Sequence, residues 1–312
     1  ASVVRGCGDG SVRRFTVKTA FGTGEVMVIL EGPSLKLCDE QDSDKPNPQL
    51  ENLIDMVEKM DEALSEIDYS LESVYLFDPK AGTNGRYRLL AGSRTILDEQ
   101  EIGGKMLSFE ISAPSFYQVN SEQMKKLYEL AADYAGLTGE ESVLDLYCGI
   151  GTIGLSMAHR AKMVVGIESV KEAVLDANRN SVINGVLNTR YIAGKAEDVL
   201  AEVSKDDFSP KENSAEEALL GALNDGNAVA ILDPPRAGCD EVVLDAIANA
   251  GIGRIVYISC DPATLARDIK LLTEKGYEFI EATPVDMFPW TSHVETVALL
   301  TKQFRNRSKN IE

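Results

Sequence analysis

The sequence is poor in the residues that build metal centres and disulfide frameworks. It holds two histidines, His159 and His293, and five cysteines, Cys7, Cys38, Cys148, Cys239 and Cys260, odd in number and never in a C-x-x-C spacing. A histidine-rich metal site, a thiolate zinc site and a disulfide framework are therefore not expected, and no metal is assigned. Long hydrophobic runs are also missing, since none approaches the roughly 18 to 20 apolar residues that a membrane helix needs. With no signal-peptide pattern either, the expectation is a soluble, cytoplasmic protein with no membrane partner. The first residues read ASVV, without methionine, so an amino-terminal neighbour outside this sequence is expected. Basic residues are in deficit: 31 Lys and Arg against 50 Asp and Glu give a net charge of −19, which argues against nonspecific adhesion to nucleic acid or anionic membrane. A local basic groove is still allowed. Two stretches are locally basic, one with Arg5, Arg13, Arg14 and Lys18, the other with Lys80, Arg86, Arg88 and Arg94.

What is present is enough for two domains: 312 residues, of which 44% are hydrophobic. Over residues 12–30 the alternating runs VRRFTVKT and GEVMVIL flank FGTG and read as a hairpin. A polar stretch, DEQDSDKPNP, leads to Leu50, Leu53, Ile54, Val57, Leu64 and Ile67 at helical spacing. Further strands are expected at 71–78, 86–97 and 105–112, making an α+β domain over residues 1–112. From Glu141 the pattern changes to alternating strand and helix. Strands are expected at 143–147, 163–168, 189–194, 229–233 and 254–259, the earlier ones joined by short helical patterns. An acidic insert, SKDDFSPKENSAEE (204–217), is expected to loop out at the surface. EFIEATPVDMF and HVETVALLTK, linked by PWTS, read as a closing pair of strands. The alternation predicts an α/β fold over residues 113–312, a doubly wound Rossmann-like parallel sheet with its ligands at the carboxyl ends of the strands.

In DLYCGIGTIG, Gly149, Gly151 and Gly154 have G-x-G-x-x-G spacing between an expected strand and an expected helix. Glu168 ends the next strand, where a carboxylate can accept both hydroxyls of a ribose. Dinucleotide-binding dehydrogenases and S-adenosylmethionine-dependent methyltransferases share this pairing. The fourth strand separates them: it ends in Asp233-Pro234-Pro235, and Pro-Pro holds the backbone extended with no N–H of its own, so the Asp233 side chain and nearby carbonyls face the cleft. Dehydrogenases have no need of such a loop, whereas methyltransferases acting on a planar nucleobase often carry one. In YISCDPATLARDI, Cys260 falls where a strand should stop, and Asp261-Pro262 reads as an N-cap and first helical position.

The set FYQVN (116–120), DLYCGIGT (145–152), DPPRAG (233–238), SCDPATLARD (259–268) and DMFPWTSHVETVALL (286–300) resembles the RNA 5-methyluridine methyltransferase family, the ribosomal-RNA branch more than the transfer-RNA branch. The likeness is strong over residues 114–302 and weaker before. It implies an S-adenosylmethionine-dependent class I methyltransferase domain acting on carbon 5 of uridine in RNA, with ribosomal RNA as the partner. Gln118, Tyr147, Gly149, Gly151, Glu168 and Asp233 would hold the cofactor, Cys260 would be the nucleophile and Glu295 the general base. The family commonly adds an amino-terminal β-barrel and an iron–sulfur cysteine cluster; neither is visible here, and Lys195 stands where the family often has an acid. A thiol and a carboxylate suit this chemistry. Addition of a thiolate to carbon 6 makes carbon 5 nucleophilic, and a base must later remove the carbon-5 proton. The helix beginning at Pro262, with Arg267, is expected to favour the thiolate, and Cys148 is expected to be packing. Phe288 and Trp290 are candidates for a stacking face. The alternatives are a transfer-RNA enzyme, a noncatalytic RNA-binding or folding factor, and an amino methyltransferase, which would have no use for Cys260.

Overall fold

In the computed structural model the described residues are 3–5, 13–32, 48–82 and 86–303. Cys7, Cys38, Val12 and the polar run at 39–47 lie outside them, as do the side chains of Arg5, Leu50 and Leu53. The chain divides into two compact units, residues 1–100 with 108–119, and residues 101–107 with 120–312.

The first unit holds β1 (Val3–Arg5), β2 (Arg14–Thr19), β3 (Glu25–Glu31), α1 (Pro48–Ser65), β4 (Ser70–Phe77) and β5 (Tyr87–Gly92), its strands forming one sheet in the order β1-β2-β3-β4-β5. β2 and β3 are the expected hairpin, and α1 is the crossover that lets β4 run parallel to β3. Val26, Val28, Leu30, Val74 and Leu76 make the core, with Met56, Val57, Met60 and Leu64 of α1 packed on it. The single strand expected at 86–97 is two. The chain turns after β5, where the Ser93 N–H donates to the Glu72 carbonyl at 2.7 Å, and β6 (Thr95–Ile102) pairs instead with β7 (Lys105–Ser112) as a separate two-stranded sheet.

The second unit follows with α2 (Ser121–Ala135), β8 (Ser142–Leu146), α3 (Thr152–Met157), β9 (Met163–Glu168), α4 (Lys171–Ile183), β10 (Thr189–Ala193), α5 (Ala196–Val203), α6 (Ala215–Asn224), β11 (Ala228–Leu232), α7 (Glu241–Asn249), β12 (Arg254–Ser259), α8 (Pro262–Glu274), β13 (Tyr277–Val285) and β14 (Glu295–Lys302). Its seven strands lie in the order β10-β9-β8-β11-β12-β14-β13. The first five are parallel, and β14 inserts antiparallel between β12 and β13. This is a doubly wound, Rossmann-like α/β sheet. β8 and β11 are buried along their whole length, which is why SVLDL and AVAIL are near-continuous apolar runs. Chain order reverses direction at β8, and ligands of such sheets bind at that switch point, outside the carboxyl ends of the strands.

The insert is shorter than expected. Its last three residues start α6 and Ser214 caps it, with the Ser214 Oγ accepting from the Glu217 N–H at 3.1 Å and a Glu217 carboxylate oxygen accepting from the Asn213 N–H at 2.6 Å. α7 supplies a connection between β11 and β12 for which the sequence gives no clear helical pattern. Among the described residues no helix is long and apolar enough to cross a membrane.

Candidate active site

The turn after β8 is held open by its neighbour β9. Tyr147 and Cys148 both donate their N–H groups to the Ile167 carbonyl, at 2.9 and 3.1 Å, and Tyr147 turns with φ 69°. Its ring packs on the sheet's core. Gly149 follows at φ 56°, with open space where a side chain would begin, so a ligand can approach its backbone. The Gly149 N–H donates to Glu168 Oε2 at 3.1 Å, while Glu168 Oε1 accepts from the Val170 N–H at 2.7 Å and the Ser169 hydroxyl at 3.0 Å. Glu168 is thereby fixed beside the loop with lone pairs to spare. Gly151, at φ 82°, caps α3, and the Gly154 N–H donates to Asp145 Oδ2 at 2.9 Å. A side chain at Gly154 would begin 2.8 Å from that oxygen, so glycine is needed for the approach.

Asp145 does not stand out in the sequence, yet it lies directly under this loop. It is fully buried, its Oδ1 has no hydrogen-bond partner, and burial together with the charge of Glu168 pushes its carboxyl up to about 7. Cys148 is buried against Val174, Ala177 and Tyr191, and burial raises its thiol well above the usual range.

Asp233 follows β11, its N–H reaching the Leu146 carbonyl at 3.3 Å, so it sits next to the end of β8. Burial, then the charges of Glu295 and Asp145, push its carboxyl up to about 8. The loop it opens is fastened to α8. Asp268 Oδ2 accepts from the Cys239 N–H at 2.9 Å and the Tyr257 hydroxyl at 2.6 Å, the Thr264 hydroxyl donates to the Arg236 carbonyl at 3.2 Å, and Arg267 donates to the Ala237 carbonyl at 2.9 Å.

Ser259 at the end of β12 pairs with Thr296 on β14, so Cys260 and Glu295, each the neighbour of that last pair, lie at the same end of the ladder, near enough for the Glu295 charge to act on the thiol. Glu295 is buried and Cys260 half-buried. Burial raises the Glu295 carboxyl and the guanidinium of Arg236 opposes it. Burial also raises the Cys260 thiol, Glu295 and Asp233 raise it further, and Arg236 opposes them. Among the described residues, Arg236 is therefore a cation that faces this pair, and its Nη2 lies 3.4 Å from His293 Nδ1. Arg267, expected to favour the thiolate, is instead paired with Asp268 at 2.7 Å. The expected help from α8 is also compensated: Asp261 is its N-cap, accepting from the Ala263 and Thr264 N–H groups at 2.9 and 3.1 Å, and a carboxylate there offsets the helix's positive end.

The structure thus brings Tyr147, Gly149, Gly151, Glu168, Asp233, Cys260 and Glu295 to one edge of one sheet. Gln118 belongs to the first unit, where it is buried and lines a cavity of about 410 Å³ with Lys18, Phe21, Ile111 and Phe116. A larger cavity of about 600 Å³ lies between the carboxyl ends of α5, α6 and α7, on the opposite edge of the sheet, and is lined mostly by apolar residues. Sequence reasoning passes over Asp145, Arg236 and Asp268. The signal for all three is their place inside DLYCG, DPPRAG and SCDPATLARD; what the sequence hides for Asp268 is that it holds Cys239 and Tyr257, which are distant in the chain.

Comparison with known proteins agrees with this geometry. The chain is 42% identical over 301 residues to an uncharacterized RNA methyltransferase of Caldanaerobacter subterraneus subsp. tengcongensis, covering 95% of this chain and 58% of that protein. It is 40% identical over 297 residues to an uncharacterized RNA methyltransferase of Enterococcus faecalis, covering 94% of this chain and 57% of that protein. The chain therefore spans a little over half the length of these relatives. Among solved structures it is similar to the Pyrococcus abyssi tRNA (uracil-54, C5)-methyltransferase in complex with S-adenosyl-L-homocysteine, with a TM-score of 0.64 and 25% identity over 94% of this chain and 60% of that one. Trm5b from Pyrococcus abyssi, at TM-score 0.54 and 13% identity over 93% of this chain and 75% of that one, shares the fold. The model of the tRNA (uracil-5-)-methyltransferase family matches residues 58–303, well over half of the sequence, and the chain belongs to that family.

Proposed function

We propose that this protein methylates carbon 5 of uridine in RNA, using S-adenosylmethionine, with Cys260 as nucleophile and Glu295 as general base. The observation that carries the reading is that β12 and β14 end together at Ser259 and Thr296, which leaves a half-buried thiol within electrostatic reach of a buried carboxylate and of Asp233. The cofactor's place is the open turn at Gly149, with Glu168 for a ribose and Asp233 for polar or cationic groups; Tyr147 and Gln118 are assigned to it as well. The residues fit the group. The backbone at Gly149 faces open space, and Asp145 keeps an unpartnered oxygen beneath the turn, so the site favours a ligand that carries hydrogen-bond donors and positive charge. The similar Pyrococcus abyssi structure, a complex with S-adenosyl-L-homocysteine, supports the same assignment.

S-adenosylmethionine, when bound, supplies the methyl group. The Cys260 thiolate forms a bond to carbon 6 of the ring, and the displaced π electrons make carbon 5 an enolate carbon able to take the methyl. Glu295 then accepts the carbon-5 proton, the electron pair re-forms the ring double bond, and the sulfur leaves carbon 6 as thiolate. Arg236 steadies the negative charge that passes between the two side chains. A duplex hides carbon 6, so the target lies in a loop or is flipped out.

RNA containing 5-fluorouracil tests this, because fluorine on carbon 5 cannot leave as a proton does. The expected result is a covalent RNA–protein adduct that survives denaturing electrophoresis and is absent in Cys260→Ala. Glu295→Gln should lower turnover roughly 10²- to 10⁴-fold and accumulate the adduct on ordinary uridine. Full methylation by Cys260→Ala would overturn the mechanism. Ribosomal RNA is the proposed substrate, on the likeness of the motif set to that branch. Mass mapping of RNA from cells lacking the gene should show 5-methyluridine missing from ribosomal RNA; loss from transfer RNA alone would reassign the substrate.

A further inference from the structure

The loop joining β13 to β14 leaves the sheet at the same edge as Cys260, because Val285 pairs with Glu295 and Thr296 pairs with Ser259. It is a fixed turn. The Met287 N–H donates to the Val285 carbonyl at 2.9 Å, the Thr291 N–H and hydroxyl both donate to the Phe288 carbonyl at 3.2 and 2.7 Å, and the His293 N–H donates to the Thr291 hydroxyl at 3.1 Å. At its tip stands Trp290, with φ 67° and a relative exposure of 103%. Both features cost free energy. A bulky side chain is disfavoured in the left-handed region, and an indole left in water gains nothing from burial. A residue held against both preferences by a rigid turn has its use outside the chain.

The surroundings indicate what that use is. The Phe288 and His293 rings meet edge to face at 6.3 Å, and His293 is hydrogen-bonded to Arg236, so the root of the turn carries a cation. A flat indole above a cationic root suits a base with its phosphate. On the RNA reading above, we propose that Trp290 stacks on the unpaired nucleobase next to the target uridine. When the target leaves its stack, the neighbouring base loses one partner, and the indole replaces it. Base–aromatic stacking of this kind is indifferent to sequence, because every base has a π face.

Trp290 is the chain's single tryptophan, so its emission reports on the contact without a label. The probe is a short single-stranded RNA with one 5-fluorouridine, compared with the same RNA carrying an abasic residue beside it. Binding of the first should quench the emission. Trp290→Ala and Trp290→Gly should bind it about 5- to 150-fold more weakly, and Trp290→Phe should recover most of the loss. The abasic RNA should bind the parent protein as weakly as the first RNA binds Trp290→Ala, and Trp290→Ala should lose nothing further on it. Trp290→Gly relieves the backbone conformation, so its thermal midpoint should be no lower than the parent's. If the adduct forms at Cys260 while emission and affinity ignore the neighbouring base, the stacking role is overturned and the RNA reading stands. If no adduct forms and emission does not change, both fail.

Discussion

At the scale of single residues, the candidate site collects carboxylates that would prefer to be apart. Asp145 is pushed up to about 7 and Asp233 to about 8, each mainly by burial and each further by its acidic neighbours. For a carboxylate raised above its unfolded value, the stability it contributes is present below the unfolded value and is lost as pH rises through the folded one. The free protein should therefore lose thermal stability between about pH 4 and pH 8. A cationic ligand favours the ionised forms, so S-adenosylmethionine should stabilise more at pH 8 than at pH 6, and its binding should release protons. Calorimetry in buffers of different ionisation enthalpy checks this; proton uptake on binding would contradict it, and Asp145→Asn should flatten the pH profile. The thiol obeys the same electrostatics. Since Glu295 raises Cys260 and Arg236 opposes it, alkylation of Cys260 near neutral pH should be faster in Glu295→Gln and slower in Arg236→Gln. Mass spectrometry of the Cys260 peptide gives both rates, and the opposite order would show that Arg236 does not face the thiol.

At the scale of elements, α8 organises the site twice over. Its N-cap residue, Asp261, follows Cys260, and its buried Asp268 holds both Tyr257 and the loop that begins at Asp233. Asp268→Ala would leave the buried Tyr257 hydroxyl without an acceptor, at roughly 1 to 3 kcal/mol, and the Cys239 N–H with only its longer bond to that hydroxyl at 3.3 Å. Urea unfolding should show a destabilisation of about 3 kcal/mol, whereas Tyr257→Phe, which removes one partner of the pair, should cost about 1 kcal/mol. Near-equal effects would mean the loop is not held through Asp268. These elements differ in how far the sequence discloses them. β8, β9, β11 and β12 are legible because parallel strands buried on both faces must be mainly apolar runs of strand length, and the cap at Asp261-Pro262 is legible because its chemistry is local. The split of residues 86–97 is not, since Thr95–Ile102 pairs with β7 by a choice that depends on the tertiary partner. Nor is the role of Arg267, whose partner Asp268 adjoins it in the chain while the thiol it was expected to serve is faced by Arg236. Asp145 looks in sequence like any polar break in an apolar strand; only its depth and its unpartnered oxygen set it apart.

At the scale of the whole molecule, the problem is to bring a polyanion to a chain of net charge −19. The structure narrows the supply of cations. Lys18 donates to the Ser112 and Ser115 carbonyls at 2.9 and 2.5 Å, and Arg14 lies 3.6 Å from Glu31, so part of the first basic stretch is engaged within its own unit. Arg86 and Arg88 are exposed, the latter on β5, an edge strand whose side chains reach solvent. If RNA is held by a few such cations on an acidic body, affinity should be weak and steeply dependent on salt. Arg86→Glu together with Arg88→Glu should then weaken RNA binding. It should also lower the slope of log affinity against log salt by about 0.7 for each single-strand phosphate that is no longer neutralised. Cofactor affinity should stay as it was, because both arginines lie in the unit that does not carry the glycine turn. Titrations at several salt concentrations, read by filter binding for RNA and calorimetry for S-adenosylmethionine, separate the two effects. An unchanged slope would place the phosphate path on another face. A drop in cofactor binding would show that the two arginines do not act on RNA alone.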